Sequence, residues 1–549
     1  MSDPSTHTDG PAADCADEPP IPPRYWWTKR IGITVGVFLA LMIAARLWWG
    51  WYAHRQLQAA IDKIIAAGEP IYPQDFDPPE PIPDDQNAAP LLIQAAETLT
   101  VPSAQNPQDS DVIEGALQDP SSLGRRMDEA GILIESNAKV LELVHEAHLR
   151  RGVDWGVRTR SPITGLEGSP WLNSRASLSG FCSVAASYYH RRGDNSMAVR
   201  ILRDMLGHAR AIDLGSGRFS HSSANSVYAR AAIGVEETAP CLRIRPDTPL
   251  TMNNTSVVSR KEILELVDEL LNERHAREGF LRLMRFERML DLYTVQEVVK
   301  RPSLLRDLWQ TGDTWWERLS GRYPLGSSAW WESVSLEHPV VLLIRPAYEL
   351  YAVVILEWTT KQVQAARCPN WPAAARSAAG ELTQLAGWKQ MTRPMGWMTG
   401  EIMATWDKRL IYNHFRAIAL RRMAATALAI RLYEVDRGHR PAALAELVPE
   451  YLPGVPLDPF TDDERTIRYV PDAWPPVLYS VGEDGMDDRG AYAIESLAYW
   501  FHVEPDLPFF LDGYRSDGRE SEQKRPKSPE CLEHNRDEED ARRNGGEDQ

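Results

Sequence analysis

The stretch IYNHFRAIALRRMAATALAIRLYEVDRGHRPAALAELVPEYLPGVPLDPF, Ile411 to Phe460, changes character as it is read. Ile411, Phe415, Ile418, Ala425, Leu428, Ala429 and Leu432 fall on one helical stripe. Gly438 is placed to end that helix, and Pro441 follows it. A short helix over Ala442 to Val448 comes next. Pro449, Pro453, Pro456 and Pro459 then forbid regular structure, and Asp458-Pro459 signals a turn. TIRYV (Thr466 to Val470) and VLYSV (Val477 to Val481) read as two strands of a hairpin, with PDAWPP between them. The pattern predicts a long helix followed by a small hairpin: an α+β end to the chain.

The second strand runs into LYSVGEDGMDD, Leu478 to Asp488. Two glycines and four carboxylates follow the apolar residues at once. Such an oxygen-rich loop suits a hard cation, and an acidic turn shaped by Gly482 and Gly485 has the same composition.

The order of these motifs resembles the soluble part of the major pseudopilins of type II secretion systems. The matching residues are Ala427-Leu428 with Tyr433, then Asp436, Gly438 and Pro441, then Leu444 to Val448, then Pro456 to Phe460, then Tyr479 to Gly485. That family binds calcium in the loop after its last strand. The resemblance implies Ca2+ ligands at Asp484, Asp487 and Asp488, with backbone carbonyls near Leu478 and Ser480. The family loop has a longer glycine-rich insertion than this one. The chain as a whole departs from a pilin: Lys29-Arg30-Ile31-Gly32 stands where a prepilin has its Gly-Phe cleavage site, and no acid lies inside the apolar segment that follows.

That segment is IGITVGVFLALMIAARLWWGW, Ile31 to Trp51. As a helix it spans about 31 Å, enough to cross a hydrocarbon core. Trp26, Trp27, Trp48, Trp49 and Trp51 bracket it as interfacial belts, and Arg46 lies where it can snorkel. Arg24, Lys29 and Arg30 make the near flank slightly more basic than the far one. This predicts a single-pass anchor of an inner membrane, with a cytoplasmic N-terminus and the bulk in the periplasm. Gly32 and Gly36 have the GxxxG spacing that lets helices approach closely.

Six regions follow. Residues 1–23 are a disordered tail, 24–52 the anchor, and 53–86 a helix with a stiff proline-rich spacer. Residues 87–410 are a helical domain, 411–513 the pseudopilin-like module, and 514–549 a disordered charged tail. In the body, Ile132 to Leu149 has helical spacing throughout. Ser179 to Ile212 reads as two helices joined at Arg192-Gly193-Asp194-Asn195, like one tetratricopeptide-type hairpin, with no repeat period. Lys261 to Leu290 gives one or two more helices. The fold class is therefore mainly α, with a transmembrane helix, a multi-helical extracytoplasmic body and a small α+β end. The layout, with DPPEPIPDDQNAAP at Asp77 to Pro90, also looks like a group of bacterial single-pass membrane proteins that share this architecture.

The net charge of −17 argues against a nucleic-acid surface. Of the five cysteines, Cys182, Cys241 and Cys368 could supply one disulfide; spacing does not decide it. His145 and His148 share a helix face without an evident third ligand, so a solvated face is expected. Glu287 stands among apolar helical positions and calls for an arginine such as Arg285 or Arg288, or one from another helix. No phosphate-binding, nucleophile-elbow or zinc motif occurs. WWERLS from Trp315 and WWESVS from Trp330 repeat one pattern, and Glu317 with Glu332 offers the carboxylate pair that glycoside hydrolysis needs. The expectation is a non-enzymatic envelope scaffold with protein partners. The alternative is an enzyme or binding protein for envelope polysaccharide acting through Glu317 and Glu332.

Overall fold

The computed structural model describes residues 25–77, 82–100, 127–156, 170–215, 220–245, 257–300, 339–379, 400–490 and 506–512. Both predicted tails and the Trp315 to Glu332 region lie outside these residues.

Helix α1 (Trp26–Ala66) is one unbroken rod. It is long and apolar enough to cross a membrane, and its most apolar stretch is 0% buried. Ile31, Phe38 and Leu47 stand 59%, 61% and 68% exposed. Beyond Trp51 the same rod turns amphipathic, and Ala53, Leu57, Ile61 and Ile64 are buried. Gly68, at φ +69°, ends this run in the left-handed region that favours glycine. The predicted spacer does not stand free at its start. Ile71 is buried, and the Phe76 ring meets Phe286 edge-on at 5.5 Å. Apolar side chains among the prolines dock this stretch onto the body.

The body begins where Asn87 organises the chain. Its Oδ1 accepts the amides of Ala89 and Asp154, and its Nδ2 donates to Asp154 O. Pro90 then opens α2 (Ala89–Thr98), where a missing N–H costs nothing. The helix expected over Ile132 to Leu149 is two, α3 (Met127–Ser136) and α4 (Ala138–Leu149). Asn137 makes the break: its amide nitrogen donates to Leu133 O and Thr100 O, and its oxygen accepts Thr100 N.

The hairpin predicted around Gly193 is present as α5 (Pro170–Arg191) and α6 (Asn195–Asp213). Gly193 takes φ +80°, and Asp194 caps α6 by accepting Met197 N at 3.0 Å. Helix α7 (Ser220–Thr238) packs on both. A two-residue parallel pair, β1 (Ile244–Arg245) and β2 (Val258–Ser259), precedes α8 (Arg260–Leu271). A reciprocal Ser259–Glu262 capping box starts that helix. Then come α9 (Arg274–Lys300), α10 (Pro339–Ala365) and α11 (Trp371–Ala378).

Helix α12 (Gly400–Arg437) begins ahead of Ile411 and carries the predicted apolar stripe into the centre of the molecule. It packs against α7, α8 and α11. Arg421 sits in this core at 2% exposure because it has work to do there. Its Nη2 donates to Glu269 O and Asn272 O, the free carbonyls at the end of α8, and its guanidinium lies 4.5 Å over the Tyr228 ring. Gly438 ends α12 at φ +75°. The short helix expected over Ala442 to Val448 is a 3-10 turn, Leu444–Leu447.

The predicted hairpin forms as β3 (Arg468–Val470) and β4 (Val477–Ser480), with Tyr469 opposite Leu478. A third strand, β5 (Leu507–Phe510), pairs antiparallel on the other side of β4, with Leu478 opposite Phe509. One continuous apolar core runs from Ala88 through α12 to Leu511, so the C-terminal sheet and the helical body share their interior.

Candidate functional site

The loop after β4 is built from its strand ends. Asp458, from the DPF motif, is 3% exposed and orders the entrance. Its Oδ1 accepts the Ser480 hydroxyl at 2.6 Å and the Phe460 amide at 3.0 Å, and its Oδ2 accepts the Val481 amide at 3.0 Å. Gly482 and Gly485 take φ +69° and +68°, which lets the loop double back. Glu483 is held from outside: its carboxylate pairs with Lys408, and its carbonyl accepts Trp371 Nε1.

The predicted ligands divide. Asp484 accepts the Met486 amide and faces solvent. Asp487 is committed to the fold: its Oδ1 accepts the Tyr479 hydroxyl at 2.9 Å and the Arg489 amide at 3.1 Å, and its Oδ2 pairs with Arg468 Nε at 3.2 Å. Burial works against its charge, yet these partners hold its carboxyl below the usual range. Asp488 is exposed. Among the described residues no three His, Cys, Asp or Glu side chains gather as a metal-ligand group.

Asp506 is the residue that sequence reasoning missed. It immediately precedes β5, is 2% exposed, and accepts the Gly490 amide on Oδ2 at 2.6 Å. Its Oδ1 is buried with no hydrogen-bond partner among the described residues. Burial, with the negative charges of Asp487 and Asp488 beside it, pushes its carboxyl up to about 6. Asp506 is thus a buried, half-satisfied carboxylate near two further acids.

A second polar constellation joins the end of α1 to the body. Glu69, just past the end of α1, receives Arg285 Nε at 2.8 Å and Arg288 Nη2 at 3.2 Å, and pairs with Arg367. Burial alone would raise its carboxyl; the Arg285 and Arg367 guanidiniums outweigh that and hold it down to about 2. The expectation for Glu287 is an arginine such as Arg285 or Arg288, or one from another helix. Glu287 is itself buried, and the two arginines bond to Glu69, which lies on another element.

A third constellation lies in the core. Asp213 Oδ1 meets His221 Nδ1 at 2.6 Å, and His221 Nε2 meets His414 Nδ1 at 3.0 Å. All three are at most 2% exposed, and Phe280 stacks on His414 at 4.3 Å. Burial raises the Asp213 carboxyl and pushes His414 well below its ordinary value. The row resembles a proton relay in its composition. Packed within helices α6, α7, α9 and α12, it is a buried core network in which Asp213 Oδ2 has no hydrogen-bond partner among the described residues.

The solvated face expected for His145 and His148 is not what forms. His145 Nδ1 lies 2.9 Å from Asp204 Oδ1, and burial lowers His148 to about 4, helped by Arg210 and Arg203. Helix α6 covers that face. Cys182 and Cys368 are free thiols, so no disulfide joins any two of Cys182, Cys241 and Cys368. Glu317 and Glu332 lie outside the described residues. Comparison with protein-family models, with curated proteins and with solved structures finds no match.

Proposed function

We propose that the chain is a membrane-anchored scaffold of the bacterial envelope, with a helical body that presents interaction surfaces to protein partners. One observation carries this reading: α1 passes without a break from an exposed apolar span into an apolar cluster that it shares with α9 and α10, and Glu69 ties its end to Arg285 and Arg288. A hydrophobic joint with a charged clamp holds the body at a set angle to the anchor, which suits presentation of a surface better than a flexible tether does. The N-terminus is cytoplasmic and the body periplasmic in this reading, from the basic residues Arg24, Lys29 and Arg30. In-cell cross-linking of the full chain tests it. The same envelope protein should be recovered in every replicate; no reproducible partner would overturn the scaffold role.

A calcium role for the C-terminal loop is a second proposal, supported by the pseudopilin-like motif order and by Asp506. Asp484, Asp487, Asp488 and Asp506 would hold the ion, which would neutralise the acids and tie β4 to β5. Thermal unfolding of the full chain in detergent with 1 mM calcium or with chelator tests this. A site of about 0.1 mM affinity adds roughly 1.4 kcal/mol. An unchanged transition would leave the loop an acidic turn.

A further inference from the structure

Cys241 is disulfide-bonded, while Cys182 and Cys368 are free thiols. The chain has five cysteines, so the sulfur bound to Cys241 belongs to Cys15 or Cys531, both outside the described residues. The two free thiols are engaged elsewhere. Cys182 is 0% exposed in the core of the body, and Cys368 Sγ donates to Gln364 O at 3.5 Å, one turn back along its own chain.

The fold chooses between the remaining two. Cys241 is half-buried and closes a 3-10 turn, Ala239–Cys241, that follows α7 directly. Strand β5 ends beside that turn. Phe510 N donates to Glu236 Oε1 at 2.8 Å, Phe510 and Leu511 line one cleft with Ala239 and Pro240, and Asp512 pairs with Arg440 at 2.7 Å. The chain therefore leaves β5 next to Cys241, and Cys531 follows nineteen positions after Asp512. At about 3.3 Å per residue, a segment of that length has ample reach to turn back. Cys15 stands eleven positions ahead of Trp26, at the far end of α1, a rod of about 60 Å. In the anchor reading Cys15 and Cys241 are on opposite sides of the bilayer.

We propose that Cys241 and Cys531 form a structural disulfide that staples the C-terminal tail to the end of α7. The inference rests on the periplasmic placement of the body, where thiols meet an oxidising environment. The two thiols give up two protons and two electrons to a dithiol–disulfide oxidant, whose own disulfide is reduced to two thiols as the S–S bond forms. The bridge serves β5. That strand is four residues long, lies at the edge of the sheet and pairs with β4 alone. A short edge strand is among the first elements to open locally. A covalent tie beyond Asp512 keeps its end beside α7 and so keeps it on β4.

The test is peptide mapping of the full chain, extracted from membranes in N-ethylmaleimide and digested with trypsin without reduction. Mass spectrometry should find the peptide Ala231–Arg243 joined to Ser528–Arg536, at least tenfold above any other cysteine pair. Cys531→Ser should abolish the pair and Cys15→Ser should leave it. A second arm takes the purified chain in detergent, reduces it, and adds oxidised glutathione as the oxidant; the same pair should form whichever side of the membrane the body came from. Cys241 and Cys531 still open to maleimide after glutathione would overturn the inference, as would Cys241 joined to Cys15 or to Cys241 of a second copy. A bridge formed in glutathione but alkylated thiols from membranes would uphold the pairing and overturn the periplasmic placement.

Discussion

Glu69 Oε2 lies 3.2 Å from Arg288 Nη2, and the Arg288 side chain is only 1% exposed. Glu69, just past the end of α1, thus supplies the carboxylate for a cation buried in the body. Neither group is comfortable alone. Burial lowers the Arg288 guanidinium from its ordinary value, and Glu69 counters that.

Replacing Glu69 by Ala leaves Arg288 buried without that charge, and should cost about 3–5 kcal/mol. Denaturant unfolding of the full chain in detergent measures it. A loss below about 1 kcal/mol would mean that the clamp contributes little. Arg367→Ala should cost far less, because that side chain is 49% exposed.

The same carboxylate sets an acid limit. Its folded value of about 2 lies below the ordinary 4.5. Its contribution is therefore present above pH 4.5 and lost as pH falls toward 2. A Glu69→Gln chain should show a flatter stability curve across that window; parallel curves would remove Glu69 as the cause.

Asp506 works in the opposite direction. Its folded value of about 6 lies above the ordinary 3.8, so its contribution is present below pH 3.8 and lost as pH rises through 6. In chelator at pH 7, Asp506→Asn should raise stability by about 1–3 kcal/mol. In 1 mM calcium the same change should abolish any calcium-dependent gain. Loss of stability in chelator would show instead that Asp506 is an ordinary structural acceptor.

Asp458→Ala removes acceptors from the Ser480 hydroxyl and from the Phe460 and Val481 amides in a buried turn. A cost of about 2–4 kcal/mol is expected by urea titration, several times that of Asp484→Ala in the exposed loop. Equal effects would contradict the central place given to the DPF turn.

At Gly279 the interior has no room. A Cβ there would come 2.5 Å from Asp213 Oδ1 and 2.7 Å from its Cγ. Gly279→Ala should displace Asp213 from His221 and cost about 2–3 kcal/mol. The shift of the His221 ring resonances in NMR would report the displacement directly, and unaltered resonances would contradict it.

The sequence was most legible where one residue acts on its own neighbours. Gly193 with Asp194, Gly438, and the Tyr469–Leu478 hairpin all follow from local turn chemistry and periodicity. Reading failed where a distant partner decides. Asn137 breaks a helix because Thr100 bonds to it, and nothing near Asn137 announces Thr100. Arg285 bonds to Glu69, more than two hundred positions away. Strand β5 is short and contains Pro508, which argues against a strand by pattern alone; β4 recruits it, and with it comes Asp506. The loop acids Asp484, Asp487 and Asp488 were legible as a cluster, while the commitment of Asp487 to Tyr479 and Arg468 was not.

The central claim is a body fixed to a membrane anchor on the far side from the N-terminus, and protease protection of the full chain in native membranes tests it most directly. In spheroplasts, added protease should degrade the body, and in inverted inner-membrane vesicles the body should survive while the N-terminal tail is trimmed. A body digested in inverted vesicles, or one released from membranes by carbonate, would contradict the account.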